Sequence, residues 1–323
     1  MNSQNAGGVV ASDGSQNLLL ANIPLGKFTR PRYSAALDDR IYVPLGGAKS
    51  VAVLDALGLR ELDINPDTPQ IDRINLPNGS VPHSIVFSSD RLHAYIADRS
   101  QGSIYVLDVN PNSVRYNEHI GTITVEDSNG FEQLSVNSDG SLLFATSPST
   151  KSGKGSIFVL NIKPSDRPQQ ANGNLKKYNR VIQTIETKPG VTGLSATENP
   201  DVMFFTNRYH EAQGFGRVIL NREEYNNISS YDVDYAQLEL GSIYDYFDVN
   251  EAYAVTTMRD QKTGVEYAFV AGRNGRQFGS GIESIDAPGA GSNVGVIRIA
   301  PGKEPELVAA SRPIPMGLTS SLT

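Results

Sequence analysis

The chain has 323 residues, with four histidines and no cysteine. Cysteine nucleophiles, disulfides, thiolate metal sites and Fe–S clusters are therefore excluded. Any chemistry would rest on histidine, carboxylates and arginine. One group of such residues shares a place in the sequence, at the entry to successive apolar segments: Tyr33 with Arg32 beside it, His83, Glu132, Thr192, approximately Glu251, and Met316. If those entries face one axis, His83, Glu132, Glu251 and Arg32 would form an acid/base set or hold a divalent ion such as Ca²⁺ or Mg²⁺. Tyr33, His83, Glu132 and Thr192 would then line a small-ligand site. The same positions serve equally well as polar, water-bridged lining with no catalytic duty. The sequence requires no cofactor and specifies no metal.

Other candidates are weaker. His93 falls in mid-strand and His119 at the start of an outer strand, while His210-Glu211 has no second histidine nearby for zinc. Asp232-Val233-Asp234 lacks the glycine and bidentate glutamate of an EF-hand loop. Neither a Gly-x-Ser-x-Gly elbow nor a phosphate-loop frame around Ser152–Ser156 is present. Gly289-Ala290-Gly291 has no βαβ unit around it.

The elements that place these residues come from an internal repeat. Pro82–Asp98 aligns without a gap on Phe131–Ser147 and on Val191–Asn207. Each copy has an apolar strand, a polar turn and a second strand carrying an aromatic: Tyr95, Phe144 or Phe204. Arg32–Pro44 is an earlier copy with Tyr42, Ala252–Ala271 a looser one, and Pro315–Ser320 begins a sixth. A third strand follows as Ser50–Asp55, Ser103–Asp108, Ser156–Asn161 and, less closely, Val294–Ile299. A fourth follows as Asp72–Leu76, His119–Val125, Val181–Thr187 and Glu306–Pro313. Alternating apolar positions between Gly, Asn, Asp and Pro punctuation read as antiparallel meanders. Four short strands per repeat, many times over, predict an all-β chain: a β-propeller of four-stranded blades, about six of them, or seven if the chain is a fragment.

Arg40-Ile41-Tyr42-Val43 through Val51-Ala52-Val53-Leu54-Asp55, and Ala94-Tyr95-Ile96-Ala97-Asp98 through Ile104-Tyr105-Val106-Leu107-Asp108, resemble the YVTN-type propeller repeats of bacterial and archaeal secreted and cell-surface proteins. They are also similar to the repeats of lactonase-type propellers. The resemblance implies a secreted or surface location and specifies the fold far more than the activity.

One propeller domain over 1–323 is expected, with blades near 32–76, 82–125, 131–187, 191–250 and 252–313 and a partial blade from 8–24 and 314–323. Gly8–Ala11 and Leu18–Pro24 read as a hairpin around Asp13-Gly14. The stop inside a repeat fits one part of a longer multidomain chain, with any targeting segment elsewhere. Two segments depart from the pattern. Arg208–Tyr253 holds seven of the 14 tyrosines, interleaved with carboxylates, and Tyr231 and Tyr235 there suit stacking on a sugar or anchoring a protein. Gly272–Gly295 reads as a glycine-rich insertion.

With 28 basic and 35 acidic residues the net charge is −7, which argues against nucleic acid. No apolar run is long enough to span a bilayer. The expectation is a non-catalytic binding or scaffold module with a protein or glycan partner. The alternative is a lactonase-like hydrolase with a divalent ion in its central channel.

Overall fold

The computed structural model describes residues 8–13, 18–167, 178–208, 214–220, 231–234, 252–272, 294–300, 303 and 305–310. These residues form 23 strands and one short 3₁₀ turn at Pro164–Asp166, with no α-helix among them. The chain divides into two compact units, Met1–Leu134 and Ser135–Thr323.

The first unit begins with the antiparallel hairpin β1 (Gly8–Asp13) and β2 (Leu18–Pro24), in the place the Asp13-Gly14 turn indicates. A sheet follows from β3 (Ala35–Leu37), β4 (Arg40–Leu45), β5 (Ser50–Asp55), β6 (Arg60–Leu62) and β7 (Ile74–Asn75). A second sheet runs in order from β8 (Pro82–Phe87) through β9 (His93–Asp98) and β10 (Ser103–Asp108) to β11 (Glu118–Thr124). The outer edge of the first sheet is split, because β6 and β7 pair with opposite halves of β5. Between them the chain makes an excursion closed by Asp63, whose Oδ1 accepts from the backbone N–H of Asn65 and of Asp72, both at 3.0 Å. Sequence periodicity assigns only the β7 part of that edge.

In the second unit β12 (Leu134–Val136, opening at the boundary residue), β13 (Leu142–Ser147), β14 (Gly155–Asn161) and β15 (Arg180–Thr187) form one meander. β16 (Val191–Ala196), β17 (Val202–Asn207), β18 (Gly214–Leu220) and β19 (Tyr231–Asp234) form the next. β20 (Ala252–Arg259), β21 (Glu266–Gly272), β22 (Val294–Ile299) and β23 (Glu306–Ala310) form the last. The repeat pattern does not single out β18. Its Gly216 lies so close to the Phe205 ring that a Cβ there would approach the ring to 2.3 Å, so the strand gives up a side chain to make room for the aromatic.

Strand alternation gives each sheet two apolar faces. In β5, Val51 and Val53 pack with Ile85, Ile96, Tyr105 and Leu107 of the second sheet, whereas Ala52 and Leu54 pack with Ile23 and Leu25 on the other side. In β17, Met203 and Phe205 meet Phe144, Ile157 and Val159, whereas Phe204 turns to Phe215, Val255 and Val270. The repeated aromatics Tyr42, Tyr95, Phe144 and Phe204 are all buried. Tyr42 meets Phe87 edge-on at 5.3 Å, and its hydroxyl donates to Asn117 Oδ1 at 2.9 Å. Burial raises the pKa of that phenol well above the ordinary tyrosine value.

The polar turns of the repeat are fastened by their own side chains. Ser88 Oγ donates to Asp90 Oδ1 at 2.7 Å and accepts from His93 N–H at 3.0 Å, while Asn137 Oδ1 accepts from Leu142 N–H at 2.9 Å. The buried Asp98 locks the β9–β10 turn. Its Oδ1 accepts from Ser100 N–H (2.7 Å), Gln101 N–H (2.9 Å) and Ser100 Oγ (2.9 Å), and its Oδ2 accepts from Val81 N–H (3.0 Å) and the Tyr105 hydroxyl (2.7 Å).

Asp98→Ala would strip five donors of their acceptor and is expected to destabilise the chain by about 3–5 kcal/mol in urea unfolding. Ser100→Ala keeps the backbone donors and is expected to cost about 1 kcal/mol or less. Equal effects from the two substitutions would contradict this role for the carboxylate.

Candidate functional site

A recurring irregularity in the innermost strands fixes where the candidate residues point. Pro82 pairs with Asp98 and Ser84 with Ala97, so His83 is bulged out of the β8–β9 ladder. In β16 the register shifts between Val191 and Leu194, across Thr192, and in β20 it shifts between Ala252 and Ala254, leaving out Tyr253. A bulge re-aims a side chain at a sheet rim. This one explains why the repeat offers one distinctive residue per sheet. It also carries the equivalent position in β20 to Tyr253, two residues past Glu251, which lies outside the described residues.

In the first unit the bulge builds a compact charged cluster. Tyr33 bridges Ser84 in parallel, its N–H donating to His83 O at 3.1 Å, and its ring meets the imidazole edge-on at 5.2 Å. His83 Nδ1 lies 2.7 Å from Glu132 O. A carbonyl oxygen only accepts, so Nδ1 carries the proton and Nε2 is the acceptor. Nε2 faces Arg99 Nη1 at 3.5 Å, and Arg99 Nε lies 3.2 Å from Glu132 Oε2. The other carboxylate oxygen, Oε1, is 3.9 Å from Nε2. His83 is 1% exposed and Glu132 2%.

Burial pushes the imidazole pKa down to about 4. The carboxylate and carbonyl of Glu132 oppose that shift, while Arg99 and Arg32 reinforce it. At neutral pH the cluster thus holds an uncharged histidine beside an arginine–carboxylate pair. Each polar group answers another within the protein, and neither the histidine nor the carboxylate opens to solvent. A general base must reach the proton it removes, and here the buried imidazole and carboxylate turn toward protein groups.

Arg99 escapes the repeat alignment, although a signal for it exists. It follows the last residue of β9, as Arg208 follows the last residue of β17. In the second unit the Arg208 guanidinium stands over the ring of Tyr253, 5.7 Å from its centroid. An arginine just past the second strand thus meets a side chain at an innermost-strand entry in both places: Arg99 against His83 and Glu132, and Arg208 against Tyr253.

Of the remaining candidates, Thr192 is buried in a hydroxyl network. Its Oγ1 is 3.4 Å from Thr206 Oγ1 and 3.5 Å from Ala252 O, and its carbonyl accepts from Thr146 Oγ1 at 2.6 Å. Tyr231 lies in β19 opposite Leu220. Tyr235, Met316 and His210 lie outside the described residues, as does most of the glycine-rich stretch. His93 is half-buried in β9 opposite Asp108, and His119 Nε2 lies 3.0 Å from Thr122 Oγ1. Among the described residues no three His, Asp or Glu side chains are grouped to hold a metal ion.

The second unit also carries two adjoining clefts of ≈460 and ≈500 Å³, both lined by Thr197, Glu198, Arg259 and Glu266. Glu198 accepts from Arg259 Nη1 at 3.0 Å and from Gln261 Nε2 at 2.8 Å. Burial raises the pKa of the Glu266 carboxyl, with Arg259 opposing the shift and Glu198 adding to it. In sequence these are ordinary turn residues, and only the stacking of β16–β17 on β20–β21 assembles them.

No protein-family model matches the sequence, and no curated protein matches it. Several solved structures share the fold. A chain of Kuenenia stuttgartiensis hydrazine synthase aligns over 91% of this chain and 71% of its own length, at 17% identity and a TM-score of 0.63. A protein from Lactobacillus plantarum aligns over 94% and 77%, at 10% identity and a TM-score of 0.59. A chain of a mitotic checkpoint complex aligns over 82% and 65%, at 10% identity and a TM-score of 0.57. The neighbours are β-propeller-like, and the all-β chain with its four-stranded antiparallel sheets has that fold.

The buried neutral histidine makes stability depend on pH. Its folded pKa, about 4, lies below the unfolded value of 6.5, so the unfolded chain takes up the proton first as pH falls. The contribution is complete above about pH 6.5 and is lost between there and about pH 4, to a total on the order of 3 kcal/mol. Urea midpoints of the wild type are expected to fall across that window more steeply than those of His83→Gln. Parallel curves would contradict the neutral assignment.

Proposed function

We propose that this chain is a non-catalytic β-propeller module that binds a macromolecular partner, protein or glycan, at one rim. On this reading it has about six blades of the YVTN type and belongs to a secreted or cell-surface protein. One observation carries the proposal: the residues best suited to catalysis satisfy one another. Both ring nitrogens of His83 and the carboxylate of Glu132 are engaged within the protein, and both residues are buried. Such a cluster clamps neighbouring sheets and leaves the loops to meet the partner. The tyrosine-rich segment around Tyr231 and Tyr235 is a second contact surface on this reading, since tyrosine offers stacking area with a polar tip.

Two assays test the proposal. Thermal melts in EDTA, then with millimolar Ca²⁺ or Mg²⁺ restored, are expected to agree within about 1 °C, because an ion bound only to the native state would raise the melting point by mass action. Hydrolysis of lactone and ester substrates is expected to stay at background. A metal-dependent rise in melting temperature, together with turnover abolished by His83→Ala, would replace this reading with the lactonase-like one.

A further inference from the structure

The loops at one end of the first sheet combine three features found together nowhere else among the described residues. The segment 25–34 joins β2 to β3 and lies against the β4–β5 turn, residues 46–49. Gly46 N–H donates to Arg30 O at 3.1 Å and Gly47 N–H to Thr29 O at 2.8 Å. The first feature is an exposed aromatic: Phe28 is 76% exposed, although most large apolar side chains here are buried.

The second feature is charge. Segment 25–34, turn 46–49 and the connection 76–81 contain Lys27, Arg30, Arg32 and Lys49 and no Asp or Glu, in a chain of net charge −7. Lys27, Arg30 and Lys49 are exposed. Glu61, a carboxylate at the base of the loop, is 6% exposed and neutralised by Arg73, whose Nη2 also donates to Leu25 O at 2.9 Å. The matching connection of the next sheet carries Glu126 and Asp127, so that sheet lacks the cluster.

The third feature is strain. Phe28 (φ 62°), Arg30 (φ 52°) and Lys49 (φ 55°) all have left-handed backbone, and they are the residues that display the aromatic and two of the cations. An exposed phenylalanine gains nothing from that conformation by packing, and left-handed backbone is costly for a bulky side chain. The loop is nonetheless held firmly: Thr29 is buried, with its Oγ1 donating to Gly26 O at 3.1 Å. A Cβ at Gly47 would fall 1.9 Å from Phe28 O, so the turn approaches as closely as only glycine allows. Strain kept at an exposed, rigid site is the mark of a presented group, and a preorganised aromatic beside cations is the usual anchor of an interface.

We infer that the 25–34 loop of the first unit is a docking site for an acidic segment of a protein partner, with Phe28 meeting an apolar side chain and Lys27, Arg30 and Lys49 meeting carboxylates. This rests on the binding-module reading and gives that partner a chemistry. Opposite charge would speed the encounter, and the rigid aromatic would hold the complex.

The experiment uses the full chain and a short fluorescent peptide alternating Glu with Leu and Phe, with a Gln-for-Glu counterpart. The acidic peptide is expected to bind saturably, more weakly at high salt, and at least about tenfold tighter than its counterpart. Phe28→Ala and the double variant Lys27→Glu/Arg30→Glu are expected to lose at least about tenfold in affinity. Phe28→Gly is expected to lose binding equally while its melting temperature holds or rises, because glycine adopts this φ without strain. Absence of binding, equal binding by Phe28→Gly, or a lower melting temperature in that variant would overturn the proposal. So would binding of heparin in place of the peptide, or a dimer in sedimentation that Phe28→Ala abolishes, since the occupant would then be a glycan or a second copy. None of these outcomes produces a metal response or lactone turnover, so the non-catalytic reading stands or falls separately.

Discussion

Everything in this molecule depends on sheets that are apolar on both faces and must therefore be covered on both. A strand with Val51 and Val53 on one side and Ala52 and Leu54 on the other cannot form the outside of anything. The same holds for β17, where Met203 and Phe205 point one way and Phe204 the other. Stacking sheet on sheet is the solution, and the buried aromatic of each repeat is the group that makes the stack close-packed. A polar or small residue at Tyr42 or Phe204 would remove most of the side chain from such a contact, which is why the aromatic survives in copies whose turns differ completely.

Stacking leaves the strand ends as the only places with freedom, and the two kinds of end are used differently. At the innermost strand entry the bulge turns a side chain out of the ladder, and the sequence supplies groups that neutralise one another: imidazole with a backbone carbonyl and Arg99, and Arg99 with Glu132. Removing one partner from such a buried set costs more than the set contributes as a whole, because the remaining group is left charged or unsatisfied in a poorly hydrated place. The cluster is therefore stable as a unit.

The repeat was legible because its signals are local. Strand alternation, the Ser-Asp turns and one aromatic per hairpin each act within a few residues, and they place the hairpins and the outer strands β7, β11, β15 and β23. What escaped depended on contacts distant in sequence. The split edge of β6 and β7 follows from Asp63 reaching nine residues along the chain to Asp72, and β18 is marked only by a glycine that makes room for Phe205. The site divides in the same way. Alignment alone brings Arg32, Tyr33, His83 and Glu132 to a shared position, but it says nothing of their burial, which turns a plausible acid/base set into an internal clamp. Arg99 lay one residue beyond the aligned block, and the displacement from Glu251 to Tyr253 depends on a bulge that no periodicity reveals.

The distribution of strain separates the two roles of the polar residues. The contacts of Asp98 named above are all 3.0 Å or shorter, the His83 imidazole is fixed by its 2.7 Å contact with Glu132 O, and the backbone of neither residue is left-handed. Exposed residues with left-handed backbone include Phe28, Arg30 and Lys49. Folding alone would favour glycine or asparagine at such positions. A chain that keeps phenylalanine and cations there gives up stability at its surface, while the charges around His83 answer one another. The interior cluster answers the demands of the fold, and the strained loop answers a demand that the folded chain does not itself supply.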